Sequence, residues 1–308
     1  MSFSRSMARL EVSAAVAVQR SIGRIFALGV KRPNIKGKII ANYFGRRYVG
    51  LLPHAAPPRT AAESPETIWQ FWDNPPGRAT PAIVGSCVAA AEKWRGPFLH
   101  KMLDMNSAAD YSDLPGFVYD HLKNGRMIWA HFADLLRLNL LKNHGGIWTD
   151  ATNFMTAPVP EYVEKADFFV FLTDRITHFP YSFMQNFFIR AKKGSYLNDT
   201  WLALCLEYWK SERKDIDYFQ HQLMFKAMAA RDGAAKMLFA EMPHVSEDET
   251  LQFVATDQFG PFDAAQWNRI RKTSFFQKLT YKSGRHTIAD SAGYPGSFFD
   301  KICKGELI

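Results

Sequence analysis

Cysteine is scarce in this sequence, and its spacing excludes two kinds of site. The chain of 308 residues contains three cysteines, Cys87, Cys205 and Cys303, which lie far apart. No two of them have the short spacing of zinc ligands, and an odd number does not fit a disulfide framework. The composition therefore argues against a zinc site and a disulfide scaffold, and it indicates a reducing compartment.

A basic surface spread over the whole chain is also missing. The net charge is +8, but residues 1–60 hold eleven Lys and Arg against one acid, Glu11, so residues 61–308 carry −2. A near-neutral body without a basic stripe argues against nucleic acid as a partner. Long apolar runs are absent from the basic segment, because Arg20 and Arg24 interrupt it short of the ~18 residues that a membrane crossing needs.

Residues 5–28 instead predict an amphipathic helix at a membrane surface. At about 100° per residue, Arg5, Arg9, Arg20 and Arg24 fall on one side of this helix and apolar side chains on the other. Such a helix fits an anionic bilayer, with its arginines near the lipid phosphates. The open alternative is an additional helix packed on the body, or a frayed end.

A change of composition near residue 60 predicts two parts. Residues 53–67, PHAAPPRTAAESPET, have the proline, alanine and polar content of a linker. We therefore predict a basic helical extension with its linker at residues 1–60 and a folded domain at residues 61–308. With 47% hydrophobic residues, the chain has enough apolar material for a large core.

Strand and helix signals alternate through the folded domain. Strands are predicted at 67–72, 98–104, 147–151, 166–174 and 185–191. Helices are predicted at 80–94, 114–125, 128–146, 196–211 and 215–233, with Thr80 as the N-cap of the first, and residues from about 242 onward are predicted to be irregular. The alternation predicts an α/β fold with a mixed, mostly parallel sheet flanked by helices. Ligands bind such sheets at the carboxyl ends of the strands, where Asp150 lies.

One largely apolar predicted helix carries two charges that need partners. In AHFADLLRLNLLKNHGG, Asp134 and Arg137 are three residues apart and share a face. They are interpreted either as a structural ion pair or as part of a nucleotide-sugar pocket. In the pocket, Asp134 lies near the base or ribose, Arg137 on phosphate and Asp150 towards a metal.

The same segment carries a resemblance to a known family. WAHFADLLRLNLLKNHGGIWTDATNF, together with QNFFIRAKKGSYLNDTWLALCLEYWK, DIDYFQHQLMF and QKLTYK, resembles the capsular polysaccharide synthesis protein family, and the likeness covers roughly residues 66–285. That family is similar to glycosyltransferases in which an S-D-x-x-R helix precedes G-G-x-Y-x-D-x-D. The resemblance implies a GT-A-like fold, a nucleotide-sugar donor and transfer to a glycan or lipid-linked acceptor in surface polysaccharide assembly.

Residue by residue, the resemblance places Asp134 and Arg137 at the nucleotide and Asp150 at the first aspartate of the D-x-D motif. The chain departs from the wider pattern at Ala133, where serine is common, and at Thr152, where the second aspartate would stand. Two arrangements stay open. Either Mg²⁺ or Mn²⁺ is held by Asp150, water, the donor phosphates and a distant protein ligand, with the Thr152 hydroxyl as a further candidate, or protein cations alone neutralise the donor diphosphate.

Candidates for the distant protein ligand and for the diphosphate-binding cations lie further along the chain. Asp217 and His221 are four residues apart in a predicted helix and are interpreted as catalytic groups facing acceptor or metal, or else as a solvated face. Lys278 and Lys282 in QKLTYK are interpreted as diphosphate ligands, which the resemblance favours, or else as plain surface lysines.

Trp148 completes the set of candidates. Strand alternation places it on the same face as Asp150, where it is interpreted as a stacking surface for a base or sugar, or else as part of the core.

The resemblance implies a glycosyltransferase that retains the anomeric configuration, with a UDP-sugar favoured as the donor. The expected location is cytoplasmic, peripheral at the inner face of a bacterial cell membrane. The rival hypothesis is a non-catalytic, membrane-associated scaffold or glycan-binding protein with a degenerate metal site, which Thr152 would permit.

Overall fold

The computed structural model describes residues 7–25, 33–52, 65–74, 77–173, 183–284 and 286–308. Arg5 and the side chain of Arg24, both assigned to the predicted membrane helix, lie outside the described residues. Most of the predicted linker, residues 53–64, also lies outside them.

The described residues form the following helices and strands. The helices are α1 Met7–Ile25, α2 Pro33–Arg47, α3 Ala82–Trp94, α4 Met105–Ala108, α5 Gly116–Lys123, α6 Trp129–His144, α7 Glu161–Glu164, α8 Tyr196–Ser211, α9 Gln220–Arg231, α10 Gly233–Glu241, α11 Gln252–Ala255, α12 Ala264–Thr273 and α13 Phe298–Cys303, with 3₁₀ turns at Val49–Leu51 and Glu247–Thr250. The strands are β1 Thr67–Phe71, β2 Leu99–Leu103, β3 Gly146–Thr149, β4 Asn153–Met155, β5 Phe168–Leu172, β6 Met184–Ala191, β7 Phe276–Lys278, β8 Lys282–Ser283 and β9 His286–Thr287.

A five-stranded sheet in the order β2-β1-β3-β6-β5 forms the centre of the fold. β1 pairs in parallel with β2 and β3, whereas β6 runs antiparallel to both β3 and β5. Four strands therefore share one direction, which confirms the predicted mixed, mostly parallel sheet. Because β6 runs the other way, its first residues lie at the same edge as the carboxyl end of β3.

The two faces of the sheet bury separate apolar cores. Trp69 and Trp148 point to one face, where they join a core that includes buried residues of α2, α6, α8 and α9. Ile68 and Ile147 point to the other face, where the core includes residues of α3, α12 and α13. The alternation of neighbouring residues between the two faces is the period of a β-strand, and it places the sheet between two helical layers.

Helix α2 belongs to the predicted extension at residues 1–60 and packs on the body. Ile40, Tyr43 and Phe44 are buried in the same core as α8 and α9. The hydroxyl groups of Tyr43 and Tyr48 donate to Glu212 beyond the end of α8, at 3.5 and 3.4 Å. The helix predicted within residues 5–28 is present as α1, whereas the domain boundary at residue 60 stays a prediction.

Three details of the predicted elements are wrong. Pro81, not Thr80, is the N-cap of α3, and the Thr80 hydroxyl instead accepts a hydrogen bond from Asn74. Helix α9 begins at Gln220, several residues later than predicted. The segment after residue 242 is not irregular: it holds α11 to α13 and β7 to β9, because apolar side chains there pack on the second core. Tertiary packing of this kind stabilises helices too short to form alone.

Within the residues that the structure describes, none of the helices combines the length and the apolar character that a bilayer crossing requires.

Gly146 allows β3 to pair closely with β1. Its φ is +104°, and a Cβ at this position would lie 2.1 Å from the carbonyl oxygen of Thr67. We expect Gly146→Ala to lower the free energy of unfolding by more than about 2 kcal/mol, because both the backbone conformation and the contact exclude a side chain. Urea denaturation measures the change.

Gly85→Ala is the matched control, because Gly85 is exposed in α3 and a Cβ there meets nothing within 4 Å. We expect this variant to be as stable as the parent or more stable by up to about 1 kcal/mol. Equal stability of the two variants would contradict the role of Gly146.

Candidate functional site

A tight turn follows β3 at residues 150–152 and places polar groups at the edge of the sheet. The backbone N–H of Asp150 donates to the carbonyl of Phe187 at 2.8 Å. The buried side chain of Asn153 donates to the hydroxyl of Thr149 at 2.8 Å and to the same Phe187 carbonyl at 2.9 Å. These bonds hold the turn against the beginning of β6.

The carboxylate of Asp150 is held between two cations and an indole. Its Oδ1 accepts from the Nε1 of Trp148 at 3.0 Å and lies 3.7 Å from the Nη2 of Arg137. Its Oδ2 accepts from the Nζ of Lys278 at 2.7 Å. Burial opposes ionisation, but the charges of Lys278 and Arg137 outweigh it and hold the pKa of Asp150 below its ordinary value. The side chain remains 27% exposed, so it is accessible to a ligand.

Helix α6 supplies the guanidinium of Arg137 to this edge. The Nη2 of Arg137 lies 3.3 Å from Oδ1 of Asp134, one turn earlier on the same helix. Its Nη1 donates to the carbonyl of Asn186, and its Cζ lies over the ring of Trp148, 5.0 Å from the centroid. The two interpretations drawn from the sequence are therefore compatible, because the ion pair exists and also lies beside Asp150.

Asn186 joins three elements around Asp134. Its Nδ2 donates to Oδ1 of Asp134 at 2.8 Å and to Nδ1 of His221 at 2.9 Å, while its Oδ1 accepts from Gln222 at 3.2 Å. Sequence reasoning missed this residue. A signal was present, because Gln185 and Asn186 are adjacent polar residues just before the apolar run Phe187–Ile189 of the same strand.

The charge states of Asp134 and His221 are fixed by burial and by their neighbours. Burial alone would raise the pKa of Asp134, but two neighbouring histidines and Arg137 lower it to about 2. Burial lowers the pKa of His221 to about 3, against the attraction of Asp134. At neutral pH, Asp134 is therefore an anion and His221 is a neutral ring stacked on Trp201, with 4.0 Å between the centroids.

Asp217 and His221 do not share a helical face, and that prediction is wrong. Asp217 precedes α9, where its Oδ1 accepts from the backbone N–H of Phe219, and it forms an ion pair with Lys36 of α2. His221 lies inside α9 and faces Asn186. The reason is that α9 begins at Gln220, so the spacing of four residues does not span a helical turn.

Trp148, Thr152 and Lys278 lie together at the turn. Trp148 is 2% exposed, which agrees with the core interpretation and not with a stacking surface for a base or sugar, and its Nε1 donates to Asp150 from within the core. The hydroxyl of Thr152 accepts from the Nζ of Lys278 at 2.9 Å. Lys282 is exposed on β8, with its Nζ 5.0 Å from the centroid of the Tyr281 ring.

The side chains at the turn do not form a ligand set for Mg²⁺ or Mn²⁺. Among the described residues, no group of three or more His, Cys, Asp or Glu is placed to hold a metal ion. Asp150 is the one carboxylate of the motif, and its Oδ2 is already bonded to Lys278. Divalent cations of this kind prefer several oxygen ligands, and the side chains at the turn offer few of them.

A comparison with models of known protein families finds one family that covers most of the chain. A family model described as Capsular polysaccharide synthesis protein matches residues 24–302. The chain is similar to O-glycosyltransferase braB of Annulohypoxylon truncatum, at 23% identity over 185 residues. That match covers 54% of this chain and 43% of the relative, less than half of the relative's length. A solved structure, PaToxG Glycosyltransferase, superposes with a TM-score of 0.41 at 13% identity, over 85% of this chain and 99% of that chain.

The neutral state of His221 predicts a pH dependence of stability. The unfolded chain takes up a proton on His221 below about pH 6.5, whereas the folded protein accepts it only near pH 3. Stability linked to this group is therefore complete above pH 6.5 and is lost as the pH falls towards 3, at up to about 1.4 kcal/mol per pH unit.

We expect the free energies of unfolding of the parent and of His221→Gln to converge as the pH falls through this window. Urea denaturation at a series of pH values gives both curves. Curves that stay parallel would contradict the buried neutral histidine.

Proposed function

Because the chain belongs to the capsular polysaccharide synthesis protein family, we propose that it is a glycosyltransferase. It would move a sugar from a nucleotide-sugar donor, with UDP-sugars favoured, to a glycan or lipid-linked acceptor. The observation that carries the proposal is the contact of Asp150 with both Arg137 and Lys278 at the carboxyl edge of the sheet. This is the edge at which open α/β sheets bind ligands, and two cations there suit a diphosphate.

The roles proposed for the residues follow from their burial. Asp134 is 7% exposed and is surrounded by Asn186, Arg137 and two histidines, so it is assigned to positioning Arg137. Arg137 and Lys278 would face the donor phosphates, and Asp150 would orient both cations. A buried guanidinium that is already held in place loses little side-chain freedom when it binds a phosphate.

The proposed reaction exchanges one bond at the anomeric carbon for another. The bond from this carbon to the diphosphate oxygen breaks, the bond to the acceptor hydroxyl oxygen forms, and the hydroxyl proton passes to the departing diphosphate. Both oxygens of Asp150 are engaged, by Trp148 and by Lys278, which disfavours this carboxylate as a covalent nucleophile. Attack on the face of departure then gives a retained, α-linked product, in line with the resemblance to D-x-D enzymes.

We expect the purified protein to bind UDP in a calorimetric titration and to transfer or hydrolyse sugar from UDP-sugars. Asp150→Asn should lower the turnover by at least about a hundredfold, because the charge that orients Arg137 and Lys278 is lost. Mass spectrometry and NMR of the product report the linkage and the anomeric configuration.

Asp120→Asn is the matched control, since Asp120 is exposed on α5, and it should keep full turnover. Failure of UDP and GDP to bind would contradict the enzyme and would favour the non-catalytic scaffold or glycan-binding protein. Equal turnover of Asp150→Asn and the parent would contradict a role of Asp150 in the reaction.

We further propose that α1 rests on an anionic membrane at the cytoplasmic face. Met7, Leu10 and Val18 are 66, 50 and 57% exposed on this helix. Arg9, Arg20 and Lys36 line a groove of about 340 Å³ between α1 and α2, with Val12 and Val16 among the apolar lining residues. A helix that exposes apolar side chains on one side and arginines on another suits the boundary between acyl chains and phosphates.

Liposome flotation tests the membrane contact. The protein should float with vesicles that contain anionic lipid and much less with neutral vesicles, and Arg9→Glu/Arg20→Glu should abolish flotation. The control Lys123→Glu/Lys272→Glu reverses two exposed charges on α5 and α12 and should float like the parent. Flotation unaffected by the α1 substitutions would contradict this contact.

A further inference from the structure

The turn after β3 lacks the second carboxylate of a metal-binding motif, but it does not lack a cation. The Nζ of Lys278 lies 2.7 Å from Oδ2 of Asp150 and 2.9 Å from Oγ1 of Thr152. The lysine therefore contacts both positions of the Asp-x-Thr segment, and 128 residues separate it from Asp150. The ammonium thus bridges the first and third residues of the turn, which align with the two aspartates of the D-x-D motif.

The backbone fixes the lysine at this place. Lys278 stands opposite Asn153 in the antiparallel pair of β4 and β7. The next residue, Leu279, donates its backbone N–H to the carbonyl of Thr152 at 2.9 Å. The Nζ also lies over the ring of Phe187, 5.6 Å from the centroid. The ladder thus fixes the backbone of Lys278, and its ammonium lies against an aromatic ring.

The charges balance in the same way as in a metal site. A divalent cation between two aspartates sums to zero, and an ammonium between Asp150 and the neutral Thr152 also sums to zero. Replacement of the second aspartate by threonine removes one negative charge, and replacement of the metal by lysine removes one positive charge. The donor diphosphate would therefore meet a similar local charge in both cases.

The ammonium also has a donor left for a ligand. Of its three N–H bonds, two are used for Asp150 and Thr152, and the side chain remains 23% exposed. Lys278 is therefore partly exposed to solvent at the turn while Asp150 and Thr152 hold its ammonium.

We propose that Lys278 takes the place of the divalent cation, so that the donor diphosphate binds without metal. This inference rests on the proposed function, because it concerns the same nucleotide-sugar site. Arg137 and the Lys278 ammonium together neutralise the diphosphate, and Thr152 is a ligand of the lysine and not a decayed metal ligand.

Calorimetric titrations with UDP and GDP, each in EDTA and in Mn²⁺, test the proposal. The parent protein should bind one nucleotide with the same affinity in both conditions. Lys278→Met should weaken that affinity by at least about tenfold in both conditions, since it removes a charge-assisted hydrogen bond. The control Lys272→Met, at an exposed residue of α12, should keep the parent affinity.

A double substitution removes the lysine and restores the second carboxylate of the D-x-D motif. In Lys278→Ala/Thr152→Asp, two carboxylates face the position left by the ammonium, so nucleotide binding should return in Mn²⁺ and stay weak in EDTA. Thermal unfolding of each variant shows whether it is folded, and the comparison of the parent in EDTA and Mn²⁺ needs no variant.

The outcomes separate this inference from the proposed function. Binding by the parent that requires Mn²⁺ would overturn the inference and leave the glycosyltransferase in place. Full affinity of a folded Lys278→Met in EDTA would also overturn it. No binding of either nucleotide in either condition would overturn the proposed function and this inference together.

Discussion

The buried guanidinium of Arg137 is the constraint on which the site depends. A charge at this depth is stable only with partners, and it has Asp134 on its own helix, Asp150 at the end of β3 and the carbonyl of Asn186 on β6. The side chain of Arg137 therefore connects helix α6, strand β3 and strand β6. The site is preorganised because the same contacts satisfy the buried charge.

The surroundings of this charge explain why two acids behave differently. Asp134 is enclosed by Asn186, His131 and His221, whereas Asp150 keeps 27% of its side chain exposed. The Asp134 carboxylate is buried among protein groups, the Asp150 carboxylate is partly exposed to solvent, and Arg137 lies between them. In the low dielectric below the sheet edge, each contact is stronger than it would be in water.

Much of the fold could be predicted, because it depends on local patterns. Neighbouring residues predict strand β1, the end of α6 at its glycine pair and the alternation of strands and helices. The sequence also predicts that Asp134, Arg137 and Asp150 lie close together. The position of Lys278 and the role of Asn186 depend on pairing between distant segments, on which spacing along the chain gives no information. The elements after residue 242 were missed because each is short and is stabilised by packing on the second core.

The pairing of β4 with β7 has a consequence for synthesis on the ribosome. β4 emerges long before Lys278, which follows Asp150 by 128 residues, so the nascent chain exposes an unpaired strand edge beside an incomplete charge cluster. Until β7 has been synthesised, the Lys278 ammonium is missing, and Asp150 and Thr152 lack the cation that they bind in the folded protein. The central sheet can therefore assemble first, and the charge balance of the turn is among the last features that the growing polypeptide acquires.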